Sequence, residues 1–269
     1  MNKLMKRTTI WFLLLAGMLL GCTRSVRPIS NSGYVKPSRH TTYCGPQVSD
    51  LATEYRGELS EFDVLGITRG QMTSESEIRR ALDQAKQVKL HPGNSMLLIQ
   101  SGAAFPDAPI VAALSKHFQV VPFSGVPSVS PAESHPDYGS GNSESYAKSL
   151  RLAAARGGND FIVCYWGFLE SANEDLPTKT VSWVPMPGLK WVLPDEKQHM
   201  RIRLKLAIVD VRSGNWTVFS PEQFEDTRKS TSPRRAAKDQ ILVEELKQKA
   251  YEAAARDLVQ LHSDITSTQ

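Results

Sequence analysis

Nine consecutive residues without a charged side chain, Phe161 to Leu169 (FIVCYWGFL), constrain the fold of this chain more than any other segment. The run shows no alternation between polar and apolar residues. A strand formed here must therefore be covered on both faces, as in sheets that carry helices on each side. The segment predicts a strand at the centre of an α/β sheet.

Helix and strand signals alternate at short intervals before this run, as they do in parallel βαβ units. Ser74 and Glu77 have the spacing of a capping box, which predicts the start of a helix. The predicted elements, in chain order, are a helix from Ser74 that ends before His91, a strand Met96–Gln100, a helix Ala108–Lys116, a strand Phe118–Phe123 and a helix Ser143–Arg156.

The C-terminal half predicts antiparallel pairing and a long final helix. Apolar residues alternate with Arg and Lys from Met200 to Leu206, which is typical of a strand with one solvated face. The turn Arg212–Asn215 predicts a hairpin into Trp216–Phe219, and a further strand is expected at Lys179–Val184. Ser232-Pro233 predicts a helix start, with an apolar stripe extending to about His262.

The fold class that follows is α/β (α+β). We expect a mixed sheet of five to six strands, parallel in its N-terminal part and antiparallel in its C-terminal hairpins. Helices pack on this sheet, and the last helix is long.

The N-terminal segment has the features of a secretion signal. Residues 1–21 begin with basic side chains and continue with about eleven apolar residues, too few to cross a bilayer, which needs roughly 20. The sequence Leu19-Leu20-Gly21-Cys22 resembles the lipobox of bacterial lipoproteins. This resemblance implies cleavage between Gly21 and Cys22, acylation of Cys22 and, because Thr23 follows, a periplasm-facing position at the outer membrane.

Removal of the signal leaves a nearly neutral chain. Three basic residues are lost, so 29 Lys and Arg (32 less 3) face 28 Asp and Glu. Nucleic-acid binding needs a clustered positive field, so we expect none. The Ser- and Pro-rich residues 22–47 are interpreted as a lipidated tether, and residues 48–269 as a single periplasmic domain.

Two cysteines remain beside Cys22 in a compartment that permits disulfides. Cys44 and Cys164 could form a bridge, or Cys164 could pack as a free thiol inside its apolar run. The chain has no Cys-x-x-Cys pair, so neither a redox nor a zinc motif is indicated.

Motifs for catalysis are missing from the sequence. It contains no Gly-x-Ser-x-Gly, His-Glu-x-x-His, phosphate-loop or dinucleotide-binding pattern. The strongest enzyme candidate is the cluster Glu133, His135 and Asp137, in a Pro- and Gly-rich loop that such residues keep soluble. We therefore expect no enzyme, cofactor or metal site.

A Pro-rich insertion carries large apolar side chains. Pro185, Pro187 and Pro194 oppose a regular strand ladder in the stretch from Trp183 to Pro194. These side chains either fold back over an open sheet face or project toward a protein partner or the inner leaflet of the outer membrane. The residues proposed for partner binding are Trp183, Met186, Leu189, Trp191 and Leu193.

Two junctions resemble a known group of periplasmic domains. Gly157 to Val163 (GGNDFIV) leads from an Ala-rich helix into the central strand, and Val209 to Gly214 (VDVRSG) closes a hairpin. These features are similar to the curli secretion-channel lipoprotein, the penicillin-binding-protein activator lipoproteins and the N-terminal domain of the Tol-system β-propeller protein. The resemblance implies a non-enzymatic adaptor or regulator of the cell envelope. The alternatives are an oligomeric secretion or assembly component and a metal-dependent or hydrolytic envelope enzyme.

Overall fold

The computed structural model describes residues 23–31, 57–68, 70, 72–127, 143–175, 196–230 and 235–263. These residues form seven strands, five α-helices and a short 3-10 helix at Ile29–Asn31. The strands and α-helices, in chain order, are β1 (Thr23–Pro28), α1 (Glu61–Leu65), α2 (Glu75–Gln84), β2 (Ser95–Gln100), α3 (Ala108–Leu114), β3 (Gln119–Phe123), α4 (Ser143–Arg156), β4 (Phe161–Asp175), β5 (Glu196–Asp210), β6 (Trp216–Phe219), β7 (Phe224–Ser230) and α5 (Arg235–Ser263).

The strands form one mixed sheet in the order β3-β2-β4-β5-β6, with β1 paired to β4 and β7 paired to β5. Strand β2 runs parallel to β3 and to β4, whereas β5 runs antiparallel to β6 and to β7. The predicted α/β class is confirmed, including the central position of β4, the parallel first part and the antiparallel hairpin. The sheet has seven strands where five to six were expected.

The chain divides into two compact units. Unit 1 takes residues 1–27, 169–202 and 224–246, and unit 2 takes residues 28–168, 203–223 and 247–269. Strands β4 and β5 and helix α5 contribute residues to both units.

In unit 2, one sheet face carries a core built with α1 and α4. Alternation along the strands directs Leu97, Ile162 and Cys164 to this face, where they pack against Val64 of α1 and Leu150 of α4. The Trp166 indole is buried in the same cluster and donates a hydrogen bond from Nε1 to the Leu59 carbonyl oxygen over 2.7 Å. The chain before α1 is thereby fixed to the sheet.

The alternate residues of the same strands are also buried in unit 2. Met96, Leu98 and Tyr165 have almost no exposed surface. The Tyr165 ring meets the ring of Tyr251 from α5 edge to face, with centroids 5.9 Å apart. Helices contact both faces of the sheet in unit 2. The apolar run of β4 is therefore covered on both faces, as its lack of polar alternation predicted.

In unit 1, polar cross-strand contacts accompany a smaller set of buried apolar residues. The hydroxyls of Ser25 in β1 and Ser171 in β4 are hydrogen-bonded over 2.8 Å. Arg201 of β5 forms an ion pair with Glu170 of β4. The buried apolar residues of this unit are Leu169, Met200, Ile202, Leu242, Val243 and Leu246.

The structure adds an early strand to the segment predicted as a tether. Thr23–Pro28 form β1, and Ile29 is only 2% exposed. A Cβ atom on Gly167 would lie 2.4 Å from Cγ2 of Ile29, so the isoleucine packs directly on the glycine. Residues 32–47 lie outside the described residues, and the domain boundaries at 21, 22, 47 and 48 stay predictions.

Other sequence predictions differ at their ends or fall outside the described chain. Strand β7 was not expected, because its sequence FEDTRKS has no apolar alternation. The strand expected at Lys179–Val184 and the helix start at Ser232-Pro233 lie outside the described residues. Helix α5 is described from Arg235.

Candidate functional site

Helix α2 exposes its apolar face. The predicted capping box is present: the Ser74 hydroxyl accepts a hydrogen bond from the Glu77 backbone N–H, and the Glu77 carboxylate accepts one from the Ser74 N–H over 2.8 Å. These hydrogen bonds lower the pKa of Glu77. The helix buries none of its residues, and Ile78 and Leu82 are 44% and 70% exposed. Helical spacing places both side chains in one stripe with Ala81.

A groove of about 660 Å³ separates this stripe from the turn between β5 and β6. Trp216, the first residue of β6, borders the groove and is 48% exposed. An exposed aromatic ring beside an exposed aliphatic stripe is the composition of a protein-binding surface. We call this surface the α2 groove and define it by Ile78, Ala81, Leu82, Ala85 and Trp216.

A second, more polar cleft of about 460 Å³ lies where β2 and β4 begin. Its Asp160 carboxylate accepts hydrogen bonds from the Ser95 backbone N–H over 3.1 Å and from the Ser95 hydroxyl over 2.8 Å. These bonds lower the pKa of Asp160, and the charge of Arg212 acts in the same direction. Asp210 accepts a hydrogen bond from the Ser213 backbone N–H. The acidic groups of this cleft therefore organise turns.

The two sequence junctions that carried the resemblance meet at this cleft. Gly158 adopts a φ of +73° at the end of α4, a conformation that favours glycine. The Val211 backbone N–H donates to the Asp160 carbonyl oxygen over 2.9 Å. The side chain of Arg151 from α4 donates to the Val211 carbonyl oxygen. The junction motifs thus build one structural corner of unit 2.

A buried polar network connects three elements of unit 2. The Asp107 carboxylate, just before α3, accepts a hydrogen bond from the Tyr251 hydroxyl over 2.6 Å and lies 3.1 Å from the Lys247 ammonium nitrogen. The Tyr165 hydroxyl donates to the side-chain oxygen of Gln100. Burial raises the pKa of both Tyr165 and Tyr251, so the phenols stay neutral. The network joins α5 to the end of β2 and the start of α3.

The described residues contain no cluster of His, Cys, Asp and Glu suited to hold a metal ion. His199 of β5 contacts the Thr227 hydroxyl at 2.8 Å and the Glu174 carboxylate at 3.7 Å, at the exposed surface of unit 1. The loop cluster Glu133, His135 and Asp137 lies outside the described residues. The expectation of a non-enzymatic protein stays a prediction.

Most residues singled out from the sequence also lie outside the described part. They are Gly21, Cys22, Cys44, Trp183, Met186, Leu189, Trp191 and Leu193. Cys164 is fully buried, and burial raises its pKa strongly. The pairing of Cys44 with Cys164 stays a prediction.

The α2 groove was missed at the sequence level. The spacing of Ile78 and Leu82 predicts the helix correctly, but periodicity does not reveal whether an apolar stripe is covered. Trp216 was assigned only to a hairpin strand. Its position directly after a turn, where side chains are often solvated, was the available signal.

None of the described helices is long and apolar enough to cross a membrane. In unit 2, helices pack on both faces of the sheet, and this arrangement defines an α/β protein. Residues 60–261, three quarters of the chain, match the family model described as YafT bacterial lipoprotein, and the chain belongs to this family. A comparison with curated proteins found no match.

Proposed function

We propose that this lipoprotein is a non-enzymatic adaptor or regulator that binds another protein of the cell envelope and acts in envelope assembly or maintenance. The observation that carries the proposal is the α2 groove. Ile78 and Leu82 expose large apolar surfaces next to Trp216, and a bound polypeptide would remove them from water.

The proposed attachment to the membrane is supported by the N-terminal motif and by the family to which the chain belongs. Leu19-Leu20-Gly21-Cys22 resembles a lipobox, and the family is one of bacterial lipoproteins. Acylation of Cys22 would hold the body at the periplasmic side of the outer membrane, the location that Thr23 favours. The Trp-rich insertion from Trp183 to Leu193 is proposed as a second contact for the partner.

The relationship to the curli, penicillin-binding-protein activator and Tol domains is also part of the proposal. It is supported by the corner at which Asp160 and Val211 are hydrogen-bonded and by the parallel β2-α3-β3 unit next to β4. Those domains are accessory proteins, which agrees with binding rather than catalysis.

Site-specific photocrosslinking in cells would test the proposed use of the groove. A photoreactive amino acid replaces Ile78 in the full-length chain, and a second chain carries it at Arg80, on the opposite side of α2. We expect a discrete crosslinked envelope protein only from position 78. Leu82→Glu should reduce this crosslink about tenfold or more, because burial of a leucine contributes about 1.5–3 kcal/mol.

The matched control is Arg80→Gln, which changes the charge by the same amount as Leu82→Glu but lies away from the groove. This control should leave the crosslink unchanged. Equal crosslinks from positions 78 and 80, or equal losses in both variants, would contradict partner binding in the groove.

An oligomeric assembly component is the second candidate. Strand β3 lies at the sheet edge and exposes Val121 and Phe123. Exposed edges with apolar residues favour pairing between chains, although Pro122 removes one backbone donor from this edge. Sedimentation of the protein distinguishes the two candidates, since a strict monomer at high concentration rules out assembly through β3.

A further inference from the structure

Strand β1 begins one residue after the proposed lipidation site. Thr23 is the first residue of β1, and β1 pairs with β4. The Ser25 and Ser171 hydroxyls, both in unit 1, are hydrogen-bonded over 2.8 Å. An extended chain advances at most about 3.6 Å per residue, so the Cα atoms of Cys22 and Ser25 are no more than about 11 Å apart.

This covalent limit leaves no room for a flexible linker between the lipid and the sheet. The acyl chains of a lipidated Cys22 enter the hydrocarbon, which holds the residue at the level of the head groups. That interfacial layer is about 5–8 Å thick on each side of a bilayer. Ser25 lies three residues after Cys22 and is hydrogen-bonded to Ser171, so the part of β4 around Ser171 must lie next to this layer.

We propose that unit 1 lies directly on the phospholipid surface, with head groups against the polar cleft formed by β4, β5 and β7. The proposal rests on the acylation of Cys22 that the proposed function includes. The polar cleft has a volume of about 180 Å³ and side chains of both charges. Its residues that carry the argument are Ser171, His199, Arg201, Glu225, Asp226 and Thr227.

The charge pattern of the polar cleft fits a zwitterionic head group. His199 and Arg201 line the cleft with N–H donors suited to a phosphate, and Glu225 and Asp226 line it with acceptors suited to an ammonium group. Within the protein, Glu170 pairs with Arg201 and Arg228 pairs with Asp226, so a head group would share these partners. Phosphatidylethanolamine carries both groups. The ion pair with Glu170 balances the charge of Arg201, so this arginine adds little long-range attraction to an anionic surface. The short covalent connection, rather than net charge, then brings the polar cleft to the membrane.

Depth-dependent fluorescence quenching tests this arrangement with the full acylated chain. The protein carries Cys44→Ser and a fluorophore at Glu174→Cys, a position 58% exposed on β4, while Cys164 is buried and unlabelled. It is reconstituted in vesicles of phosphatidylethanolamine and phosphatidylglycerol that contain a lipid with a head-group quencher. We expect strong quenching that changes little with salt.

Two variants separate the short connection from other causes. A flexible Gly-Ser spacer inserted between Cys22 and Thr23 should reduce the quenching several-fold, and Ser25→Pro, which removes a backbone donor from β1, should reduce it in the same direction. An unquenched label on acylated protein would overturn this inference and leave the lipid anchor of the proposed function unaffected. Equal quenching with and without the spacer would overturn the role of the short connection.

Mass spectrometry of the same sample distinguishes a missing lipid anchor, which belongs to the proposed function, from failure of this inference alone. A Cys22 peptide without acyl mass would overturn the lipid anchor and, with it, this inference. An acylated Cys22 with quenching that depends on the spacer supports both.

Discussion

Single residues decide how the N-terminal segment meets the sheet of unit 2. Ile29 is buried against Gly167, where a side chain on the glycine would collide with Cβ and Cγ2 of the isoleucine. Glycine in a strand interior is otherwise unfavourable, and close approach of another segment is a common reason for it. Gly167 is therefore the residue that leaves space for the segment after β1.

Gly167→Ala should lower the free energy of unfolding by about 1–3 kcal/mol, the usual cost of overpacking. Urea unfolding followed by circular dichroism measures the change. In an Ile29→Ala background the same substitution should cost less, because Cγ2, the closest colliding atom, and Cδ1 are gone and only Cβ remains. Equal costs in both backgrounds would contradict the contact.

A carboxylate at the corner of unit 2 makes stability depend on pH. The Ser95 backbone N–H and hydroxyl hold the pKa of Asp160 below its ordinary value. A depressed carboxyl pKa contributes stability that is present above the unfolded pKa, about 3.9, and is lost as the pH falls through the folded value.

Asp160→Asn should therefore destabilise the protein at neutral pH by about 1 kcal/mol, since a largely exposed charge is screened by water. The difference from the unsubstituted protein should shrink as the pH falls below about 4, where the carboxyl of the unfolded chain becomes protonated, and should vanish once the pH has passed the lower pKa of the folded state. Urea titrations at several pH values test this. Asp83→Asn, at an exposed position of α2, is the control and should show a smaller effect.

At the scale of elements, helices with similar sequence signals have different environments. The apolar stripe of α4 is covered, with Ala147, Leu150 and Ala154 buried, whereas the stripe of α2 is exposed. Both helices were predicted, because capping and periodicity are local properties. Which stripe is covered depends on the neighbours that the chain brings there.

A partly buried ion pair between Lys247 and Asp107 helps to attach α5 to the start of α3, beside the hydrogen bond from Tyr251 to Asp107. Lys247→Met should cost about 2–3 kcal/mol, because the partly buried Asp107 loses its cation while keeping its charge. The double variant Lys247→Met, Asp107→Asn should recover most of this loss, since the neutral amide still accepts from Tyr251. Thermal and urea unfolding measure both variants.

Lys249→Met is the control for helix propensity and hydrophobicity, because Lys249 is exposed on the same helix. It should change stability only slightly. Additive losses in the double variant would show that Asp107 and Lys247 do not act as a pair.

At the scale of the whole molecule, access to the core requires unfolding. Cys164 is fully buried between helices and sheet in unit 2, and burial raises its pKa, which suppresses the reactive thiolate. In a reduced Cys44→Ser, Cys22→Ala protein, we expect Cys164 to react with a thiol reagent only as fast as unit 2 opens.

Denaturant should accelerate that reaction in proportion to the unfolded fraction. An added exposed thiol, Ser115→Cys, should react at once under native conditions and serves as the control. Fast modification of Cys164 while the circular dichroism stays native would contradict the buried position.

Local sequence determined the elements and the sheet centre. The uninterrupted apolar run of β4, the capping box at Ser74 and the turn at Asp210–Gly214 each follow from covalent geometry, propensity or hydrogen bonding over a few residues. The lipobox resemblance likewise depends on contiguous residues. Such features are readable without knowledge of distant neighbours.

Tertiary structure decided the features that depend on contacts between residues far apart in the chain. The polar sequence of β7 becomes a strand because β5 offers a partner edge, from Glu196 paired with Ser230 to Ile202 paired with Phe224. Thr23–Pro28 become a strand because β4 pairs with them. The α2 groove exists because no described element covers the helix face. These outcomes depend on residues far apart in the chain, whose meeting a local pattern does not encode.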